Sequence, residues 1–299
     1  MPAPVYLDHS ATTPVRPEVV AAMEPFYGPK FGNPSSVHRW GREARAALDE
    51  ARERLAATLG AESDEIVFTS GGTEADNLAI LGSWRLLREK GKRAVVTTPI
   101  EHKAVLAAMH QAAHEGAEER IIAVDGAGLV RSESFDALVR DDVAICSVMW
   151  VNNEIGTVQP IAQMAEKAKA RGVIFHTDAV QAFGHVPVNA KTALFDILSL
   201  SGHKIGAPKG IGAIYIRRGT FVEPLQFGGS QNRGVRPGTE NVAAAVALAR
   251  AAELAVEELD TEMPKLRRMR DHLEHELEAR IPDAVVNGAG APRAPHILN

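Results

Sequence analysis

Lys204 closes the stretch LSLSGHK (198–204), behind Ser201, Gly202 and His203 and an apolar run from Phe195 to Leu200. A buried-strand pattern running straight into Ser-Gly-His-Lys sets a lysine at the carboxyl end of a strand, the edge at which ligands sit in open α/β sheets. A lysine partly withdrawn from water can lose its proton and form a Schiff base with a carbonyl cofactor. One such cofactor, pyridoxal phosphate, also needs an acid beside its pyridinium nitrogen. Asp178 qualifies, because it ends a second apolar run within VIFHTDAVQAFG (173–184). Taken alone, SGHK also reads as an ordinary turn carrying a solvated lysine, so the other candidate groups carry weight.

Thr69-Ser70-Gly71-Gly72-Thr73-Glu74 joins a strand pattern to a helical one. Amides at a helix amino terminus, with glycine permitting close approach, make a phosphate seat, and Thr73 and Ser201 would add hydroxyls; a plain tight turn uses the same residues. There is no GxGxxG and no Walker loop, which argues against dinucleotides and nucleoside triphosphates. His102, in PIEHK (99–103), follows a strand and opens a helix, where an imidazole can lie against a flat ring or move protons. Asn152 and Asn153 follow the fourth strand, and Gln181 lies three residues after Asp178, within reach of the same ring. Cys146 sits mid-strand among Ile145, Val148 and Met149 and reads as a small buried hydrophobe rather than a nucleophile. The remaining histidines show no metal-ligand pairing, so no metal is expected. The loop 226–239 carries Arg233 and Arg236 among glycines and reads as an anion clamp or a surface loop.

The elements that must position these groups alternate along the chain. Strands are expected at 65–70, 93–98, 119–124, 143–151, 173–178, 195–201 and 212–218. Helices are expected near 17–27, 36–59 (capped by Ser35 or Ser36), 71–91, 101–115, 132–139 and 161–171. Apolar strands without alternation, separated by amphipathic helices, indicate a mostly parallel seven-stranded α/β sheet covered on both faces. The connection between the last two strands is too short for a helical crossover, so one of them is expected to be antiparallel. Two helices, 239–257 and 261–280, and a short strand, Ala284 to Val286, follow. Gly72, Thr73, His102, Asn153, Asp178, Gln181, Ser201 and Lys204 all then fall at strand ends, in the order one site on one sheet edge requires.

Composition sets the class. The 299 residues are 45% hydrophobic and 24% charged, as in ordinary globular proteins, and the net charge of −5 gives no sign of nucleic-acid or anionic-membrane binding. A single cysteine excludes an intramolecular disulfide and suits a reducing cytoplasm. The amino terminus lacks a secretory pattern, and no apolar window is long enough to cross a bilayer. A soluble cytoplasmic protein is expected, with a large domain and a smaller appendage.

Together the motifs LDHSATTP (7–14), GNPSS (32–36), TSGGTEADNLAI (69–80), EHKAV (101–105), VNNEIGTVQPI (151–161), HTDAVQAFG (176–184), SGHKIGAPKGIGAIYIRR (201–218) and GVRPGTEN (234–241) resemble the cysteine desulfurases of the NifS/IscS type. These belong to the class V aminotransferases, fold-type I enzymes. The resemblance implies that Lys204 carries pyridoxal phosphate and shuttles protons. It implies that Asp178 holds the pyridine nitrogen, that His102 stacks on the ring and that Gln181 contacts its phenolic oxygen. Gly72, Thr73, Ser201 and His203 would bind the phosphate, and Asn153 would touch cofactor or substrate. Thr239 would complete the neighbouring site in a homodimer. The division it implies is 1–15 as an amino-terminal segment at the active-site edge, 16–250 as the cofactor-binding large domain and 251–299 as an incomplete small α+β domain.

The implied reaction converts L-cysteine to L-alanine, with sulfur passing through an enzyme persulfide to an acceptor protein for iron–sulfur or thio-cofactor assembly. One departure matters. The family's nucleophilic cysteine and carboxylate-binding arginine lie in a carboxyl-terminal segment that has no counterpart here, and Cys146 does not match that cysteine. The chain therefore reads as truncated after APHILN, with desulfuration impaired or lost. A non-catalytic pyridoxal-phosphate-binding scaffold and a selenocysteine lyase are the alternatives. Whichever holds, Lys204→Ala is expected to abolish the near-visible absorbance of lysine-bound pyridoxal phosphate, measured on the purified protein; an unchanged band refutes Lys204 as the attachment point.

Overall fold

The computed structural model describes residues 4–299. Its strands are β1 (Ile66–Thr69), β2 (Ala94–Thr97), β3 (Glu118–Ile121), β4 (Val143–Ser147), β5 (Ile174–Asp178), β6 (Ile197–Ser201) and β7 (Gly212–Ile216). They form one sheet in the order β1-β7-β6-β5-β4-β2-β3. All pairings are parallel except those of β7, which runs antiparallel to both β1 and β6, as the short connection after β6 requires. The expected α/β class and strand set are therefore observed. At the edge, β3 begins earlier than expected and presents Glu118 and Glu119, charges that discourage pairing with another sheet.

The helices are α1 (Pro17–Met23), α2 (Arg39–Leu59), α3 (Gly72–Arg88), α4 (Lys103–His114), α5 (Ser132–Leu138), α6 (Ile161–Lys169), α7 (Ala190–Ala193), α8 (Val242–Glu257) and α9 (Leu259–Arg280). Successive strand residues point to opposite faces, so Ile66, Phe68, Leu198 and Tyr215 enter one apolar layer while Val67, Ile197 and Ile214 enter the other. In α2, Ala44, Leu48, Ala51, Leu55 and Leu59 recur every three or four residues and form the buried stripe that packs along the alanine-rich α8. On the opposite face α3 lies across β4 to β7 and α4 packs beside it.

Three local expectations fail. Helix α2 starts at Arg39, not 36, and its cap is His38, whose Nδ1 accepts from the Gly41 amide at 3.3 Å. The chain must fold back first, since Gly41 lies so close to the Ser36 carbonyl that a Cβ there would fall 2.0 Å from the oxygen. Residues 284–286 form no strand, because among the described residues nothing pairs with them, and an unpaired strand has no ladder. Similarly, 24–27 is a separate 3-10 turn rather than a continuation of α1.

Gly212 ties the sheet to its functional edge. A Cβ there would fall 2.4 Å from the Leu200 carbonyl oxygen and 2.7 Å from Gly71 Cα, both backbone atoms that cannot step aside cheaply. Gly212→Ala is therefore expected to lose about 1–3 kcal/mol of stability through overpacking, read as a lower urea midpoint at unchanged slope; an unchanged midpoint would show that the strand and the Gly71 turn separate freely.

Candidate active site

The carboxyl ends of β1, β6, β5, β4 and β2 meet around a cavity of about 640 Å³, within the range of small-molecule sites. Each strand delivers its group through its last residue or the loop that follows it. β1 leads into Gly71 and Gly72 at the start of α3. A Cβ at Gly72 would meet Val180 Cγ2 at 2.8 Å, so only glycine lets the helix terminus sit this close to the β5 edge. Beside it, the Ser70 amide donates to Glu74 Oε2 at 2.7 Å, and Glu74 Oε1 accepts from Arg236 Nε at 2.7 Å, which pins the long loop against this turn.

Lys204 follows β6 on a single 3-10 turn. Its Nζ donates to the backbone carbonyl of Ser10 and, at 3.0 Å, to that of Ala11. The amino-terminal segment is held there because the Thr13 amide and hydroxyl both donate to the His203 carbonyl at 2.9 Å. Farther out, Arg16 forms a bidentate ion pair with Glu258. Burial pushes the Lys204 ammonium below its ordinary value, opposed by Asp178, Asp8 and Glu154. Asp178 is buried at the end of β5, with Oδ1 accepting from the Val180 amide at 2.9 Å. Burial raises this carboxyl, while the Val180 hydrogen bond, His102 and Lys204 lower it.

His102 caps α4, its Nδ1 accepting from the Ala104 amide at 3.1 Å, which leaves Nε2 as the hydrogen-bearing nitrogen of the neutral ring. The two asparagines divide their work. Asn152 is structural, its Oδ1 accepting from the Glu154 and Ile155 amides at 3.0 Å and its Nδ2 donating to the Ile100 carbonyl at 2.9 Å, whereas Asn153 lines the cavity. Gln181 Nε2 donates to the Ser10 carbonyl at 2.7 Å, and its Oε1 lies 3.3 Å from His296 Nε2. His203 Nδ1 lies 3.1 Å from the Thr12 hydroxyl, and burial lowers its basicity.

The cavity thus gathers Gly72, Thr73, His102, Asn153, Asp178, Gln181, Ser201, His203 and Lys204. Thr239 is the exception: it is exposed on the loop before α8 and does not line this cavity. Cys146 is fully buried within β4, and burial pushes its thiol well up, so it is no nucleophile for this pocket. Asp76, His102 and Asp178 bring ligand atoms within 4.8 Å of one another. Several further contributors were not singled out in the sequence: the Ser10 and Ala11 carbonyls, Glu74, Asp76 and His296. Only Asp76 left a local signal, an acid in the apolar stripe of Ala75, Leu78 and Ala79 on α3.

These residues fit pyridoxal phosphate. A half-buried amine faces a buried acid, and a glycine-tight helix terminus stands beside Thr73, Ser201 and His203 with room for a phosphate.

The aminotransferase class-V family pattern matches residues 5–299, and the chain belongs to that family of pyridoxal-phosphate enzymes. Among its relatives, the cysteine desulfurase IscS of Dictyoglomus turgidum is 48% identical over 295 residues, covering 99% of this chain and 75% of the relative. The cysteine desulfurase NifS of Azotobacter vinelandii is 47% identical over 298 residues, covering 99% and 74%. A solved NifS-like protein superposes with a TM-score of 0.93 at 39% identity, covering 98% of this chain and 80% of that one. The fold-type I expectation from the motifs therefore agrees with both sequence and structure.

Glu101, next to His102, is fully buried, with Oε1 accepting from the Thr98 hydroxyl at 2.6 Å and the Met149 amide at 3.0 Å. Burial pushes its carboxyl from an ordinary 4.5 up to about 8. A carboxyl that keeps its proton longer when folded stabilises the fold at low pH, and that contribution falls as pH rises through this window. Glu101→Gln is expected to flatten the fall in urea stability between those two values; a pH profile parallel to the parent's would show that Glu101 is ionised throughout.

Proposed function

We propose that this chain is the cofactor-binding part of a pyridoxal-phosphate-dependent cysteine desulfurase. The observation that carries the reading is the pairing of Lys204 with Asp178 across a cavity that also holds a glycine-tight helix terminus. Its relatives' names supply the substrate, L-cysteine. Bound pyridoxal phosphate supplies an electron sink conjugated to the substrate α-carbon. Lys204 would hold it covalently and, when released, move a proton at Nζ, a role its lowered basicity suits. Asp178 would keep the ring nitrogen protonated, and His102 would lie on the ring and take part in proton transfer. Gln181 would bond the phenolic oxygen, Asn153 would meet cofactor or substrate, and Gly72, Thr73, Ser201 and His203 would hold the phosphate.

In the net reaction the carbon–sulfur bond of L-cysteine breaks, the carbon keeps the electron pair and takes a proton to give L-alanine, and the sulfur atom passes to a thiolate as a persulfide. Cys146, the only cysteine in the sequence, is sealed in the sheet. The accepting thiol therefore comes from outside these 299 residues, on a further segment, an acceptor protein for iron–sulfur or thio-cofactor assembly, or a small thiol. We read residues 16–250 as the cofactor-binding unit, with 1–15 at the site's edge and 251–299 as part of a smaller unit. The working form is a cytoplasmic homodimer in which Thr239 reaches the neighbouring site. Exposed apolar side chains support this, among them Phe227 at 86% and Phe31 at 71% exposure, and Thr239 itself is exposed and does not line its own cavity. Among the described residues no helix is long and apolar enough to cross a membrane.

Alanine release from L-cysteine, with pyridoxal phosphate and a thiol reductant present, tests the reading. The expected result is slow, reductant-dependent turnover that Lys204→Ala abolishes and Cys146→Ser leaves intact. Turnover on L-selenocysteine alone would move the assignment to a lyase, and cofactor binding without turnover on either would leave a non-catalytic binding protein.

A further inference from the structure

Beside Asp178 a second carboxyl lines the same cavity. Asp76, in the first turns of α3, is 1% exposed, and its Oδ1 has no hydrogen-bond partner. A polar atom of Asp76 lies with those of Asp178, at the end of β5, and His102, all within 4.8 Å of one another. The sheet register explains how so many polar groups come to be buried here. Ser147 on β4 pairs with His176 on β5, and Asp178 pairs with Ser199 on β6, while residues 176 and 178 share one face of their strand. His176 consequently lies between two hydroxyls, with Nδ1 2.8 Å from Ser147 Oγ and Nε2 2.9 Å from Ser199 Oγ. The result is a fully buried row, Ser147–His176–Ser199, with Asp76 set against its imidazole.

No cation balances Asp76 in this row. His176 Nε2 is 3.7 Å from Asp76 Oδ1, but burial drives that imidazole down to about 3, so it is neutral. The other ionisable neighbours that act on Asp76 are Asp178 and Glu101, both acids. His102 is near both acids, but only Asp178 also has the Lys204 ammonium acting on it. Two carboxyls this close and this dry cannot both ionise, and the one without a cation keeps the proton.

We propose that Asp76 is a positioning residue that holds the proton of the Asp76–Asp178 pair, so that Asp178 alone presents a carboxylate to the cavity. The inference rests on the reading of Asp178 as the partner of the cofactor's ring nitrogen. It gives the buried row a purpose: the row sets a neutral imidazole against Asp76, so the carboxyl beside the charged one stays neutral and no second negative charge enters the site.

Infrared difference spectra of the cofactor-free protein against Asp76→Asn, near neutral pH in H2O and D2O, test the protonation directly. The parent is expected to show an extra protonated-carboxyl stretch that shifts in D2O; an extra carboxylate band in its place overturns the proposal. Pyridoxal phosphate titrations of the same proteins test the role. Asp76→Ala is expected to bind about tenfold more weakly, as for a lost supporting hydrogen bond, and Asp76→Asn to restore most of that loss. Asn binding as weakly as Ala would show that Asp76 acts as an anion, against the proposal. An Asp178→Asn variant that binds cofactor as the parent does would instead overturn the ring-nitrogen reading while leaving the infrared result standing.

Discussion

The parallel pairing of β5 with β6 sets Asp178 opposite Ser199 and leaves Ser201 to Lys204 as the next groups past the sheet edge. A buried carboxyl and a half-buried amine then share one cavity, and neither is comfortable alone. Burial raises the first and lowers the second, and each is part of the other's compensation. A one-residue slip of β5 in that register would turn Asp178 to the opposite face of the sheet. The apolar layers on either side resist such a slip, because Ile197 and Leu198 are committed to different cores.

The functional edge was legible because it is built from simple transitions. Apolar runs ending in Asp178, Ser201 and Thr69 could be read as strands, and polar or glycine residues after such runs must lie where the sheet stops. Motif resemblance then added roles that spacing alone could not assign. Helix starts were less legible: α2 begins after a tight backbone crossing at Gly41 and Ser36, a contact between segments that no local preference reports. The strand expected at 284–286 shows the same limit, since a strand exists through its partner.

The residues that escaped notice act through distant chain. Asp76 looks like one more acid in a helix until α3 is laid over β5 and β6. His296 meets Gln181 across 115 residues, and its stacking on His185, with ring centroids 3.7 Å apart, follows from the same long-range closure. Sequence periodicity reports neither, because it describes the face a residue takes and not what the face meets.

The segment over Lys204 also has a history in the life of each molecule. Thr13 and His203, which hold it in place, are 190 residues apart. At roughly 5–20 residues per second, the ribosome makes the partner about 10–40 s after the segment itself. During that interval Thr13 lacks its partner, while the chain of strands β1 to β5 is made. The cover over the lysine is thus among the first stretches translated, yet it can be seated only once β6 and the turn after it exist.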